Sequence, residues 1–286
     1  MRNALTATLI LALAVTFVLP AFAQDGEKPA RPDAGQLTIG YDFLNTSGGA
    51  GFIASGAVPD WGYWGRWRSK LEYDLDADCH VFTLAYALPT PNVPLGFKVQ
   101  FGTGDAGGVS YDTDWFHPSD TALWLKTESD SDADVDWYSI DVGWWLSFGG
   151  SNPEVGVELF AGYVENRVHF VESNIRVLED PFDVTGGEGF EGPVSTWDLG
   201  VSAARLGART QLPLVNKLSL AAEVAVLIGR AEGEGNWKLR EYMFQQKADG
   251  TGVDAILALV YSPTENLSIR AGGRYYAFEG LSLIHI

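Results

Sequence analysis

The sequence predicts an all-β protein, a transmembrane antiparallel β-barrel, and three observations carry that prediction. The run "WYSIDVGWWLSF" alternates Tyr138, Ile140, Val142, Trp144, Leu146 and Phe148 with Ser139, Asp141, Gly143 and Ser147. One face of an extended strand is then apolar and the other polar. Residues 1–23 carry Arg2, the apolar run from Leu5 to Leu19 and "AFA" before Gln24, the order of a cleaved signal peptide. Alternating segments recur down the chain, separated in turn by short turns and long polar loops, which is the periplasmic-turn and extracellular-loop asymmetry of Gram-negative outer-membrane barrels.

Composition narrows the function classes. The 286 residues carry a formal charge of −18, and the leader contains a single charged residue, Arg2, so the mature chain is more acidic still. That excess argues against nucleic acid and against a purely anionic surface as partners. No segment beyond the leader reaches the ~18 uninterrupted apolar residues of a membrane helix. Mean hydropathy is near zero, as expected of strands with one apolar and one polar face. Cys79 is the single cysteine, so no disulfide forms within the chain. It reads as a small apolar strand residue.

The elements follow in order. Residues 24–35 form a polar, Pro-containing periplasmic tail, and the barrel is expected over 36–280. The first strand, "QLTIGYDFL", sets Leu37, Ile39, Tyr41 and Phe43 against Thr38, Gly40 and Asp42. A Gly-rich loop with Trp61, Tyr63, Trp64 and Trp67 follows, its aromatics clustered as at a membrane interface. The second strand runs from about Trp67 to Ala87, and its phase becomes ambiguous near Cys79, which predicts a bulge. "LGFKVQFG" is the third strand and leads into the acidic stretch "YDTDWFHPSDTALWLKTESDSDADVD", expected as a long loop. "WYSIDVGWWLSF", "VGVELFAGYVENRVHF", Trp197 to Gln211, "LSLAAEVAVLIGRA", "VDAILALVY" and "LSIRAGGRYYAF" supply the remaining strands, with long loops over 171–195 and around "EGEGNWKLREYMFQQKADG". Nine strands is an odd number, whereas single-chain bacterial barrels are even. A tenth strand is therefore expected outside this sequence, and "LSLIHI", Leu281 to Ile286, reads as a non-native tail resembling a sequencing-adapter remnant.

The ordered motifs "YDTDWFHPSD", "KTESDSD", "DWYSIDVGWWL" and "VGVELFAGYVENRVHF" resemble the second-loop and adjoining strand signature of the omptins, ten-stranded outer-membrane endopeptidases. "RSKLEYDL", with Ser69, Leu71, Glu72 and Tyr73, is similar to the strand preceding it in that family. The resemblance spans about Leu37 to Phe278. It implies that Asp112 and Asp114 stand at the catalytic aspartate pair, Trp115 at the tryptophan that follows, and Ser129 at the serine of the same loop. In the family, a water held between that pair and an Asp-His pair of the fourth loop attacks the peptide carbonyl. Here the fourth loop has Trp237 and Leu239 at those positions and no histidine. The first-loop glutamate that lines the family's pocket for basic side chains has no counterpart in "TSGGAG". His117, three residues past Asp114, is the candidate displaced base. His80 and His169 read as strand and interfacial residues. The resemblance also brings in lipopolysaccharide as a lipid partner; no other cofactor is expected.

Asp130, Asp132, Asp134 and Asp136 alternate in "DSDADVD". Oxygen ligands of this kind suit calcium, but the Gly and distal Glu of a helix-loop-helix calcium motif are missing. Trp115, Ser129, Asp130, Asp132 and Asp134 are the expected binding residues, for a cation or a basic peptide. The expected function is an omptin-like surface protein whose acidic loops bind such a partner. The alternatives are an aspartic endopeptidase using Asp112 and Asp114, and a small passive pore. Inward Lys98, Arg270, Arg274, Glu72, Asp74 and Glu223 would close that pore by pairing.

Overall fold

The structure is a computed structural model that describes residues 36–57, 66–88, 95–116, 123–147, 156–183, 185–238, 242–264 and 266–285. The expected leader over 1–23 and the expected 24–35 tail lie outside these residues, as do Trp61, Tyr63, Trp64, His117 and Leu239. Nine strands, β1 (Gln36–Ala57), β2 (Arg66–Ala87), β3 (Leu95–Phe116), β4 (Leu123–Ser147), β5 (Gly156–Glu179), β6 (Phe190–Val215), β7 (Leu218–Trp237), β8 (Tyr242–Thr264) and β9 (Leu267–His285), pair antiparallel in sequence order in one curled sheet. No ladder joins β1 to β9 among the described residues. Their side chains nevertheless meet: the Arg270 guanidinium on β9 donates to both carboxylate oxygens of Asp42 on β1, Nε at 3.1 Å.

The strands run from 19 to 26 residues, about twice the ~9–11 that a tilted membrane strand needs. Their outer faces divide accordingly. In the lower half, next to the short turns, the outward residues are apolar: Ile39 and Phe43, Phe82 and Leu84, Ile140 and Trp144, Leu257 and Leu259 are all well exposed. The upper half carries Glu72, Asp74, Asp76 and Asp78 on β2 and Asp132, Asp134 and Asp136 on β4, all exposed.

This division corrects three expectations. Over its described residues the acidic stretch is strand, because β3 continues to Phe116 and β4 begins at Leu123, the backbone groups of β4 satisfied by ladders to β3 and β5. The sheet has no bulge at Cys79, which pairs in unbroken register with Leu44 and Gly104. The apparent phase change arises because the outside medium changes there. Phe82 and Asp78 point the same way, one into the apolar belt and one above it. By the same alternation Glu72 and Asp74 face outward, Tyr73 being the buried residue between them. They cannot take part in closing the lumen.

Other residues fill it. In the lower half Lys98 of β3 donates across the lumen to Glu223 of β7 at 2.9 Å. Arg205, fully buried on β6, reaches Glu223 at 2.7 Å, Asp254 at 3.0 Å and Asp141 at 3.5 Å. Arg209 holds Glu158 through two bonds of 2.8 Å, and Arg274 holds Asp254 at 2.8 and 2.6 Å. Above this network sits an apolar layer of Val164, Ala203 and Leu227 against Trp137, Tyr276 and Phe278. Higher still, Tyr73, Phe170 and Trp197 stack with ring centroids 4.3 to 5.4 Å apart, and Phe244 from β8 packs against them.

Candidate functional site

Two surfaces emerge, one inside the upper half and one outside it. On β3 the inward positions are even-numbered, so Asp112 and Asp114 both point into the lumen. Ser69 of β2 donates to Asp112 at 2.8 Å, and Asp114 is 6% exposed. Register shifts follow at once between Asp114 and Trp115 and, on the neighbouring pair, around Lys126 to Asp130. Bulges of this kind re-aim side chains at a barrel rim. Buried Ser129 and buried Glu172 share the inner face, above the Tyr73–Phe170–Trp197 stack. Burial pushes the Tyr73 phenol well above its usual pKa, and the carboxylates of Glu172 and Asp112 push it further. The fourth-loop position of interest, Trp237, lies on the inward face at the top of β7.

The outer surface gathers the rest of the expected binding residues. Trp115 faces outward under the Arg68 guanidinium, 5.5 Å from ring centroid to Cζ. Asp130, Asp132 and Asp134 stand on the outer face of β4, so the candidate residues divide between two sides of the sheet and do not form one site. Asp78, Asp105 and Asp134 are direct cross-strand partners on β2, β3 and β4. Each lies four residues up its strand from an exposed aromatic, Phe82, Phe101 and Tyr138, which are themselves direct partners. A row of carboxylates thus runs parallel to a row of rings, roughly 13 Å above it. Asp74, Asp76, Asp132 and Asp136 flank the row. Its cross-strand continuation is His169, whose Nδ1 lies 2.6 Å from Asp198 on the exposed face. His80, also outward, shares a 2.6 Å hydrogen bond with the Tyr41 hydroxyl beside the aromatic belt. Among the described residues no group of three or more His, Cys, Asp or Glu is placed to hold a metal ion.

The sequence reading missed Glu172, the aromatic stack and the staple at Asp130. Arg176 of β5 donates to Asp130 at 2.7 Å and to Glu128 at 3.0 Å, and Asn174 donates to Asp130 at 2.9 Å. The bonds from Arg176 and then Asn174 hold Asp130 below its usual carboxylate range. The signal for the stack was present in the pattern "EGEG": Glu232 and Glu234 face water, while Gly233 and Gly235 leave room inside for rings. A Cβ on Gly233 would stand 2.8 Å from the Trp197 indole nitrogen.

No family model and no curated protein sequence matches the chain. Among solved structures, the chain is similar to the crystal structure of outer membrane protease OmpT from Escherichia coli, with a TM-score of 0.68 at 13% identity over 89% of this chain and 87% of that one. The beta domain of the Bordetella autotransporter BrkA aligns over 88% of this chain and 97% of its own length, at 14% identity and a TM-score of 0.25. The first of these likenesses shows the fold: the nine strands curl into an antiparallel sheet of the kind that forms that β-barrel.

Proposed function

We propose that this protein is a surface protein of the bacterial outer membrane whose extracellular half binds polycationic partners, basic peptides among them, without cleaving them. The observation that carries this reading is the Asp78, Asp105 and Asp134 row with its four flanking aspartates. Like charges directly opposite in an antiparallel pair are destabilising, so a chain that sets three in line keeps a surface ready to be neutralised. Carboxylates spread along three strands suit a partner whose own charge is distributed. Such binding is screened over about 8 Å at physiological salt. The apolar belt beneath the row supports the membrane location.

Labelled polylysine titrated onto the refolded chain is expected to bind at low salt and release as salt rises. A D78N/D105N/D134N variant is expected to bind about tenfold more weakly. Equal binding by parent and variant would remove the reading.

A second reading, aspartic endopeptidase, is favoured by one observation: Asp112 and Asp114 share the inner face, with Asp112 oriented by Ser69. Two such carboxylates can share a proton and act on a bound water. The chain refolded with lipopolysaccharide is offered a quenched dibasic peptide beside a D112A/D114A variant. Non-cleaving binding predicts no signal from either. Cleavage by the parent that vanishes in the variant establishes the peptidase reading instead.

A further inference from the structure

Above the membrane belt, the outer faces of β2, β3 and β4 carry carboxylates in a regular lattice. Asp74, Asp76 and Asp78 form a column on β2, and Asp132, Asp134 and Asp136 a column on β4, all exposed. Each acid lies two residues from the next, so each column repeats at roughly 6.7 Å, and the columns stand roughly 10 Å apart with β3 between them. The ladders fix their relative height. Asp76, Gly107 and Asp132 are direct cross-strand partners, as are Asp78, Asp105 and Asp134 below them.

Gly107 leaves a notch between the columns. It is exposed on the outer face, and a Cβ there would meet only the Asp132 carboxylate, with Oδ1 at 3.8 Å. Its backbone is not in the left-handed region, so neither conformation nor packing within the chain calls for glycine at this position. A glycine inside a strand then marks a place where another backbone approaches closely.

Charge identifies the class of that backbone. No Lys or Arg stands on the outer faces of β2, β3 and β4 alongside these columns. The nearby bases on β5 are already engaged, Arg176 by Glu128 and Asp130, Arg167 by Glu165 and His169 by Asp198. A second copy of this chain, at −18 overall, is a poor source of the missing charge. A basic polypeptide supplies it.

Spacing identifies its conformation. An extended chain repeats its side chains on either side every two residues, again at roughly 6.7 Å. Laid along β3, it sends alternate residues to the β2 and β4 columns in step with the acids. A helix advances about 5.4 Å per turn while its lysines drift around the axis, and at about 10 Å across it cannot enter the notch.

We propose that the β2–β4 wall seats an extended basic segment, its backbone over Gly107 and successive Lys or Arg side chains alternating between the two aspartate columns. The proposal rests on the polycation reading above and gives it a place, a conformation and a partner class.

Fluorescence anisotropy at low salt, with labelled hexalysine and the refolded full chain, tests it. D76N/D132N and G107L are each expected to bind about tenfold more weakly than the parent, the first through lost charge and the second by holding the peptide off the carboxylates. D183N/E188N removes the same charge from exposed residues of the β5–β6 connection and is expected to bind as the parent does. A hydrocarbon-stapled helix carrying six lysines is expected to bind about tenfold more weakly than hexalysine. Equal losses in the two double variants, equal binding of helix and hexalysine, or undiminished binding by G107L each overturns the seat, while retained polylysine binding upholds the broader reading. A parent that binds neither hexalysine nor polylysine overturns both. The altered positions are exposed, and unboiled gel mobility checks that each variant is folded.

Discussion

At the scale of single residues, the upper lumen is governed by clearance between rings and backbone. Trp197 is 2% exposed and stacks on both Tyr73 and Phe170. Its indole can lie flat against β7 because Gly233 has no side chain, the Cβ position being 2.8 Å from the ring nitrogen. Replacing Gly233 with valine therefore forces the ring off its neighbours, and overpacking of this sort costs about 1–3 kcal/mol. The expected result for G233V is a lower urea midpoint than the parent's. E234Q, one residue on but facing water, is expected to stay within about 0.5 kcal/mol of the parent. Equal midpoints for both variants would show that the stack does not depend on this close approach. The same residue scale explains what the mouth can do chemically. Asp112 is oriented by a hydroxyl; His80 and His169 both point outward, and His117, the candidate base, lies outside the described residues.

At the scale of elements, the sequence made the strands legible and their lengths illegible, for one reason. Period-2 alternation marks an element only while the two faces meet different media. Along the lower half of β4, Tyr138, Ile140, Val142 and Trp144 against Ser139, Asp141 and Gly143 give a clear strand. Above it, "DSDADVD" still alternates, but with acid outside and Ser131, Ala133 and Val135 inside, a pattern that reads as solvated loop. The Asp pair and Ser129 were found because their residue types and order resemble a known signature. Glu172, Trp197 and Arg176 carry no such signature, and their roles come from strands brought together by the curl of the sheet. Arg176 sets the order of the longest connection. Because the folded-state pKa of Asp130 is depressed, the stability it contributes is complete above the unfolded carboxylate value, about 3.9. It is lost as pH falls through the lower, folded value. Protection factors for the described amides of residues 174–193 are thus expected to be high at pH 7 and lower in acid, relative to those of the β1–β2 ladder. R176A is expected to show the acid-like protection factor already at pH 7. Unchanged protection in R176A would mean that the turn orders itself without the staple.

At the scale of the whole molecule, the question is whether the curled sheet encloses a path for ions. Among the described residues its lower lumen holds a network of four cations, Lys98, Arg205, Arg209 and Arg274, and four carboxylates, Asp141, Glu158, Glu223 and Asp254, each with a side chain less than a fifth exposed, beside the Arg270–Asp42 pair that links β9 to β1. The set is neutral, so no uncompensated charge invites a counter-ion. The Lys98–Glu223 bond joins β3 to β7 across the interior, and a sheet of nine strands curls tightly enough for side chains to fill it. Two apolar layers lie above. A passive pore would need all three levels open, and planar-bilayer recordings of the inserted chain are expected to be silent; steady conductance steps would refute closure. Arg205 is the place to break it. With this guanidinium removed, Glu223, Asp254 and Asp141 lose their shared cation in a site with no access to water. Breaking a buried pair from one side costs about 3–5 kcal/mol. R205A is expected to unfold at markedly lower urea, whereas R167A, whose partner Glu165 lies on the exposed outer face, is expected to match the parent, since surface pairs contribute about 0–1 kcal/mol. Equal stability of R205A and R167A would mean that the lumen network is hydrated enough to replace its central cation with water, and closure would then rest on the aromatic layers alone.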